Sequence, residues 1–106
     1  MNERIPVSSQ LFERARKLCR EMHNLTGYDP AEETRKRWVA TGRAMVAFRL
    51  LMEGWTEHAV GNALGVDHST INHYRKKVPG WLATPGYKQE QEIWTEFLTK
   101  DSNGGE

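Results

Sequence analysis

The chain has 106 residues, of which 38% are hydrophobic and 27% charged, and its formal net charge is +1 at pH 7. This length allows one small domain with a single modest core. No apolar run approaches the length of a membrane span and no signal-peptide pattern opens the chain, so we expect a cytoplasmic protein with no membrane partner. Cys19 is the single cysteine, which excludes an internal disulfide and indicates a buried thiol in a reducing compartment.

The first predicted element is a helix over residues 9–24, after a flexible arm of residues 1–8. The apolar residues of this helix recur every three to four positions, as on a buried helical face: Leu11, Ala15, Leu18, Met22 and Leu25. The sequence Asp29-Pro30-x-Glu32 is a helix-start signature and predicts a short second helix.

Residues 35–42 then predict a basic loop, and Arg43 begins the next helix, which is expected to end near Gly54. Its residues expected to face the core are Met45, Phe48, Leu51 and Met52. Pro79 and Gly80 are expected to stop a later helix firmly.

A last helix is predicted from Thr84-Pro85 to about Lys100, before a disordered tail of residues 101–106. Its anchoring residues are Tyr87, Trp94, Phe97 and Leu98. Because no run alternates with period two, we predict an all-α fold, a small multi-helix domain over residues 9–100 with a central helix-turn-helix.

The segment from Thr56 to Val78 carries the helix-turn-helix pattern. Gly61 is small where a crossing helix would approach, and Gly65 suits a turn position with positive φ. Asp67 suits the N-cap of the second helix. The residues expected to point inward are Val60, Ala63, Leu64, Ile71, Tyr74 and Val78. The alternative is an ordinary helical hairpin with a solvated polar face.

Polar residues at the start and along the outer side of the second helix are candidates for reading bases in the major groove: Asp67, His68, Ser69, Asn72 and His73. His68 and Ser69 belong to the first turn, the end that enters the groove in helix-turn-helix docking. Asp67 can accept from a cytosine amino group, although capping alone explains it. Asn72 can pair with adenine, although a solvated amide explains it as well.

Basic residues of the same helix are candidates for phosphate contacts: Arg75, Lys76 and Lys77. The alternative is compensation of the helix dipole. Thr56 is expected to cap its helix and to offer its hydroxyl to a phosphate. Arg35 and Arg37 are the minor-groove candidates, because a narrow groove concentrates negative potential, with a solvated basic loop as the alternative.

Positive charge is concentrated around this segment. Residues 34–80 hold eight Lys and Arg against three Asp and Glu, whereas residues 81–106 hold two against five. A local basic region of this kind is the electrostatic signature of a nucleic-acid binder, although the near-neutral total favours weak non-specific affinity.

Residues 40–78 resemble the C-terminal DNA-binding domain of DnaA-type bacterial replication initiators, which has a Trp-repressor-like helix-turn-helix. That family has an arginine that opens the helix before the motif, which Arg43 matches. It also has the signature Gly-Gly-Arg-Asp-His-Thr-Thr-Val, most of which is matched by Gly65 and residues 67–71. The order of the predicted elements extends the resemblance over roughly residues 9–99.

The resemblance implies a domain that reads a short, asymmetric DNA box, with one domain on each box. Asp67, His68 and Ser69 would approach bases, and Thr70 would contact a base methyl or the backbone. Arg35 or Arg37 would enter the neighbouring minor groove. We further expect Arg43 to contact a phosphate.

The sequence departs from the family in three places. Its turn is one residue shorter, Val66 stands where the family usually has arginine, and Ser69 replaces threonine. These differences remove an arginine contact and a methyl group that could touch thymine. No G-x-x-x-x-G-K-[ST] phosphate loop occurs, so we expect a DNA-binding protein without an ATPase. Its expected role is to regulate transcription or replication, for example in a phage or a mobile element.

We expect no enzyme activity, no metal, no cofactor and no small-molecule substrate. His68 and His73 lie on different helix faces, and no cysteine or carboxylate pair completes a metal site with them or with His58. The expected partner is double-stranded DNA, bound by a monomer associated with the nucleoid. The alternative is a non-enzymatic interaction module that binds a partner protein through the acidic, aromatic last helix, Tyr87 to Leu98.

Overall fold

Five α-helices make up most of the computed structural model, which describes the backbone of residues 7–32 and 36–104 and the side chains within residues 9–32 and 36–99. They are α1 (Val7–Thr26), α2 (Arg37–Met52), α3 (Glu57–Leu64), α4 (His68–Ala83) and α5 (Lys88–Gly104). No strand occurs in these residues, and the predicted all-α fold is confirmed. None of the helices in the described ranges combines the length and apolar character needed to cross a membrane.

The α2 helix is the centre of the core, because it packs against α1, α3 and α4. Its sequence is apolar on nearly every side, as expected for a helix surrounded by others. The fully buried hydrophobic residues of α2 are Val39, Ala44, Met45, Val46, Ala47 and Leu50. The α5 helix covers α1 and α4 from outside this group and adds Trp94, whose ring lies 5.7 Å from that of Phe48.

The periodicity predicted most of the other buried positions. The confirmed ones are Leu11, Ala15, Leu18, Met22, Val60, Ile71, Tyr74, Val78, Trp94 and Phe97. Met52 was expected to face the core and does not, since it is 60% exposed at the last turn of α2. Tyr87 is likewise no anchor, because it precedes α5 and its side chain is exposed.

The α2 helix begins at Arg37, six residues earlier than predicted, so residues 37–42 are not a loop. Thr41 and Gly42 are buried there, and the absence of a Cβ on Gly42 lets Met22 of α1 approach closely. Burial of this first part of α2 outweighs the weak helix preference of threonine and glycine.

The short helix predicted after Asp29 is absent from residues 29–32, which form a turn. The Asp29 side chain accepts a hydrogen bond from the Ala31 N–H at 2.9 Å, and its carbonyl accepts from the Glu32 N–H at 3.1 Å. The rest of that prediction, residues 33–35, lies outside the described residues, as does Arg35.

The α4 helix continues past Pro79 to Ala83, so the predicted stop is wrong. Proline interrupts one backbone hydrogen bond of a helix, but Trp81 and Leu82 pack against the core and hold the next turn in place. The Gln91 side chain of α5 donates to the carbonyls of Trp81 and Thr84, both at 3.0 Å, and so satisfies acceptors at the end of α4.

The first helix begins earlier and the last helix ends later than the sequence predicts. The α1 helix starts at Val7, within the expected arm, and α5 continues to Gly104, within the expected tail. Residues 1–6 and 105–106 lie outside the described part of the chain.

Cys19 is half-buried on α1. Burial, with a smaller contribution from the Asp29 carboxylate, raises the pKa of the thiol from its ordinary 9.0 to about 11. The thiol is therefore neutral and weakly reactive at physiological pH.

Candidate nucleic-acid interface

The α3 and α4 helices form the predicted helix-turn-helix, and α3 is capped at both ends. The Thr56 hydroxyl accepts a hydrogen bond from the Ala59 N–H at 3.1 Å and so caps α3. Gly65 ends α3 in the left-handed conformation at φ +73°, where glycine is favoured. The Val66 N–H then donates to the Gly61 carbonyl at 3.0 Å and fixes the turn.

Gly61 permits the close approach of the two helices. A Cβ at this position would lie 2.7 Å from the Val66 carbonyl oxygen and 3.5 Å from the His68 backbone nitrogen. Since real Cβ atoms do not come as near as 2.7 Å to an oxygen, only glycine allows the turn to cross α3 at this distance. The angle at which α4 leaves the turn therefore depends on this residue.

Asp67 caps α4, as the sequence predicts. Its carboxylate accepts from the Ser69 N–H at 2.9 Å and from the Ser69 hydroxyl. These two hydrogen bonds, the hydroxyl first, hold the pKa of Asp67 below its usual value, and His68 lowers it further through its charge. Both hydrogen bonds of the cap go to Oδ2, so Oδ1 is left for a cytosine amino group, and the Ser69 hydroxyl oxygen still has a lone pair with which to accept.

The polar side of α4 consists of two stripes, each with helical i, i+4, i+7 spacing. The outward stripe is Ser69, His73 and Lys76, and all three side chains are exposed. The α3-side stripe is His68, Asn72 and Arg75, whose members interact with α3. Lys77 is exposed beside the outward stripe, whereas Thr70 is half-buried.

His68 stacks on His58 of α3, with ring centroids 4.0 Å apart and planes 22° from parallel. Both rings are exposed and border a shallow polar cleft at the turn, together with Asn62 and Asp67. His68 is thus placed at the first turn of α4, but its ring orientation is set partly by its partner on α3.

The other two residues of the α3-side stripe bind one carboxylate. The Glu57 Oε2 atom accepts from the Asn72 amide at 3.0 Å and from the Arg75 Nε at 2.6 Å. These hydrogen bonds, Asn72 first, lower the pKa of Glu57 from its usual value. Asn72 and Arg75, predicted to contact base and phosphate, therefore point their polar groups toward α3.

Two predicted DNA-contacting arginines have internal partners. The half-buried Arg43 donates from Nε to the Pro30 carbonyl at 2.9 Å and from Nη2 to the Glu32 carbonyl. Arg43 therefore holds the turn before α2, and its guanidinium is engaged there instead of facing the exposed side of α4.

Arg37 donates from Nη2 to the Glu90 carboxylate of α5 at 3.0 Å, and its guanidinium lies 4.8 Å from the centroid of the Trp38 ring. Glu90 is only 4% exposed. Insertion of Arg37 into a minor groove would leave a buried carboxylate unpaired, which is costly. The structure thus gives Arg37 a role in joining α2 to α5.

Sequence reasoning missed Glu57 and His58 as members of this surface. Both lie in the first turn of α3, and the helix-turn-helix brings that turn beside the middle and the start of α4. Aligning the sequence with the helix-turn-helix motif would have found them, because the α3 and α4 residues that contact each other are 10 to 18 positions apart.

Within the described residues, no three His, Cys, Asp or Glu side chains come together as a group that could hold a metal ion. Comparison of the chain with models of protein families, with curated proteins and with solved structures found no match.

Proposed function

We propose that the protein binds double-stranded DNA in a sequence-specific manner, with α4 in the major groove. The observation that carries this proposal is the division of α4 into opposite faces. Ile71, Tyr74 and Val78 are buried in the core, while the outward stripe of Ser69, His73 and Lys76 is exposed. A helix supported on one side and polar on the other is what helix-turn-helix docking requires.

The chemistry of the exposed side chains suits the two kinds of contact that DNA offers. The Ser69 hydroxyl oxygen can accept a hydrogen bond from a base edge, and the His73 ring can donate or accept one. Lys76 and Lys77 follow about one turn after His73 and two turns after Ser69, and they carry the positive charge that phosphates attract. The N-terminus of α4 also favours a nearby phosphate through its dipole.

In this proposal the chain resembles the DNA-reading domain of a replication initiator, and its 106 residues contain no G-x-x-x-x-G-K-[ST] phosphate loop. It acts as a regulator of transcription or replication on the nucleoid, as a monomer that reads one short site. The proposal assigns the base contacts to the outward stripe and to His68, with Asp67 as the cap.

Salt-dependent binding tests the proposal. Fluorescence anisotropy with a pool of labelled random duplexes, between 50 and 200 mM salt (roughly the range over which counterion release is large), gives the affinity and its slope. Wild-type protein should bind with a negative slope, and Lys76→Ala should weaken binding to all duplexes and reduce the slope by about one.

Lys88→Ala is the matched control, because it removes an exposed lysine at the start of α5, outside the helix-turn-helix. It should leave both affinity and slope unchanged. No binding to any duplex at low salt would overturn the proposal and favour the alternative, an interaction module whose partner binds α5. Equal effects of the two lysine substitutions would show that α4 has no special place in DNA binding.

A further inference from the structure

The Glu57 carboxylate lies where a DNA-binding surface would be expected to be positive. It is in the first turn of α3, and its side chain is 26% exposed. One of its oxygens accepts hydrogen bonds both from the Arg75 Nε at 2.6 Å and from the Asn72 amide at 3.0 Å. Arg75 itself is half-exposed and carries the charge that a phosphate would bind.

We propose that Glu57 is a specificity-determining residue, which restrains Arg75 and Asn72 so that DNA lacking the matched sequence gains no contact from them. This inference rests on the proposed DNA-binding function. A phosphate and the Glu57 carboxylate are both anions and both prefer the guanidinium of Arg75, so a phosphate contact with Arg75 must compete with an ion pair already formed.

The competition affects matched and unmatched DNA differently. Unmatched DNA is held by phosphate contacts alone, so the Arg75–Glu57 pair removes one of the few cations available to it and leaves a repelling carboxylate nearby. On matched DNA, contacts of the outward stripe bring α4 deeper into the groove. There the Asn72 amide can pair with an adenine edge and the Arg75 guanidinium can bind a phosphate. The carboxylate thus lowers non-specific affinity more than specific affinity.

The alternative role of Glu57 is to stabilise α3. An acidic residue in the first turn of a helix interacts favourably with the helix dipole, and Glu57 follows directly on the Thr56 cap. In that case Glu57 would contribute to stability alone. The two roles differ in salt dependence, because a residue that affects only stability does not change how many counterions DNA binding releases.

The test is the Glu57→Gln variant, in which glutamine keeps the shape and can still accept a hydrogen bond while the charge is lost. Binding to an unmatched duplex should tighten on the order of fivefold at about 100 mM salt, and the salt slope should steepen by about one as Arg75 gains a phosphate. The ratio between matched and unmatched affinity should fall. Thermal unfolding of the variant checks that it is folded.

Two further variants make the result specific. Glu92→Gln removes an exposed acid of α5 and controls for net charge; it should change neither slope nor selectivity. Adding Arg75→Met to Glu57→Gln should abolish the gain in affinity for unmatched DNA. Arg75→Met should weaken binding to unmatched DNA less in the wild-type background than in the Glu57→Gln background, which gives a non-zero coupling free energy between the two sites.

The failure of this inference and the failure of the proposed function are distinguishable. If wild-type protein binds a selected sequence but Glu57→Gln keeps the same slope and the same selectivity, the role of Glu57 is refuted and DNA binding stands. If neither wild-type protein nor Glu57→Gln binds any duplex at low salt, both proposals are refuted together.

Discussion

The packing of the turn against α3 makes a sharp prediction for Gly61→Ala. The added Cβ would lie 2.7 Å from the Val66 carbonyl oxygen, which belongs to the backbone and cannot rotate away. Overpacking of this kind costs about 1–3 kcal/mol, while alanine in place of a helical glycine recovers roughly 1 kcal/mol. We therefore expect a net loss of up to about 2 kcal/mol in the free energy of unfolding.

Gly80→Ala is the matched control, because Gly80 lies within α4, has an ordinary helical φ and has no atom within 4 Å of a built Cβ. Here the helix preference acts alone and should stabilise the protein by about 0.5–1 kcal/mol. The two variants should differ by roughly 2 kcal/mol, which corresponds to a difference in Tm of the order of 10 °C for a domain of this size.

Thermal or urea unfolding followed by circular dichroism measures both variants. If Gly61→Ala were as stable as Gly80→Ala, the turn would not cross α3 at the distance described and would not fix the direction of α4. A shifted turn should also weaken DNA binding by Gly61→Ala more than by Gly80→Ala, since α4 would leave the turn at a different angle.

Two further predictions concern charged and titratable groups. Arg37→Gln should lose on the order of 2 kcal/mol in the free energy of unfolding, because it leaves the buried Glu90 carboxylate without its guanidinium partner. Glu90→Gln should lose less, since Arg37 can reach water, and equal losses measured by urea unfolding would contradict the asymmetry. Cys19 has a folded pKa above its ordinary 9.0, so its contribution to stability is complete below pH 9 and is lost as the pH rises toward 11. At about pH 10, wild type should have lost about 1.4 kcal/mol more than Cys19→Ala, relative to pH 7, and parallel pH profiles of the two proteins would show that the thiol is not buried.

Local patterns in the sequence were sufficient for the helix-turn-helix and for the side of α4 that faces the core. Ile71, Tyr74 and Val78 repeat at helical spacing, and Gly65 and Asp67 have conformational preferences that act within a few residues. These signals depend on the nearest neighbours along the chain, so they did not require knowledge of the rest of the fold. The continuation of α4 past Pro79 did require it, because contacts of Trp81 and Leu82 with the core decide it.

The partners of the charged residues could not be predicted in the same way. Arg37 pairs with Glu90 across 53 positions, and Arg75 pairs with Glu57 across 18. Nothing in local spacing indicates which of the chain's 14 acids meets which of its 15 Lys and Arg residues. The sequence therefore predicted DNA contacts for Arg37, Arg43 and Arg75 without indicating these partners, and the fold gives each of the three a protein partner.

Selection of bound DNA from a random duplex pool, with wild-type protein and with His73→Ala in parallel, tests most directly whether the outward stripe of α4 reads DNA. The account predicts that wild type enriches one short sequence and that His73→Ala enriches the same sequence with the preference relaxed at one position, by roughly 1–3 kcal/mol. Recovery of a pool no different from the input, by a protein shown to be folded, would contradict it.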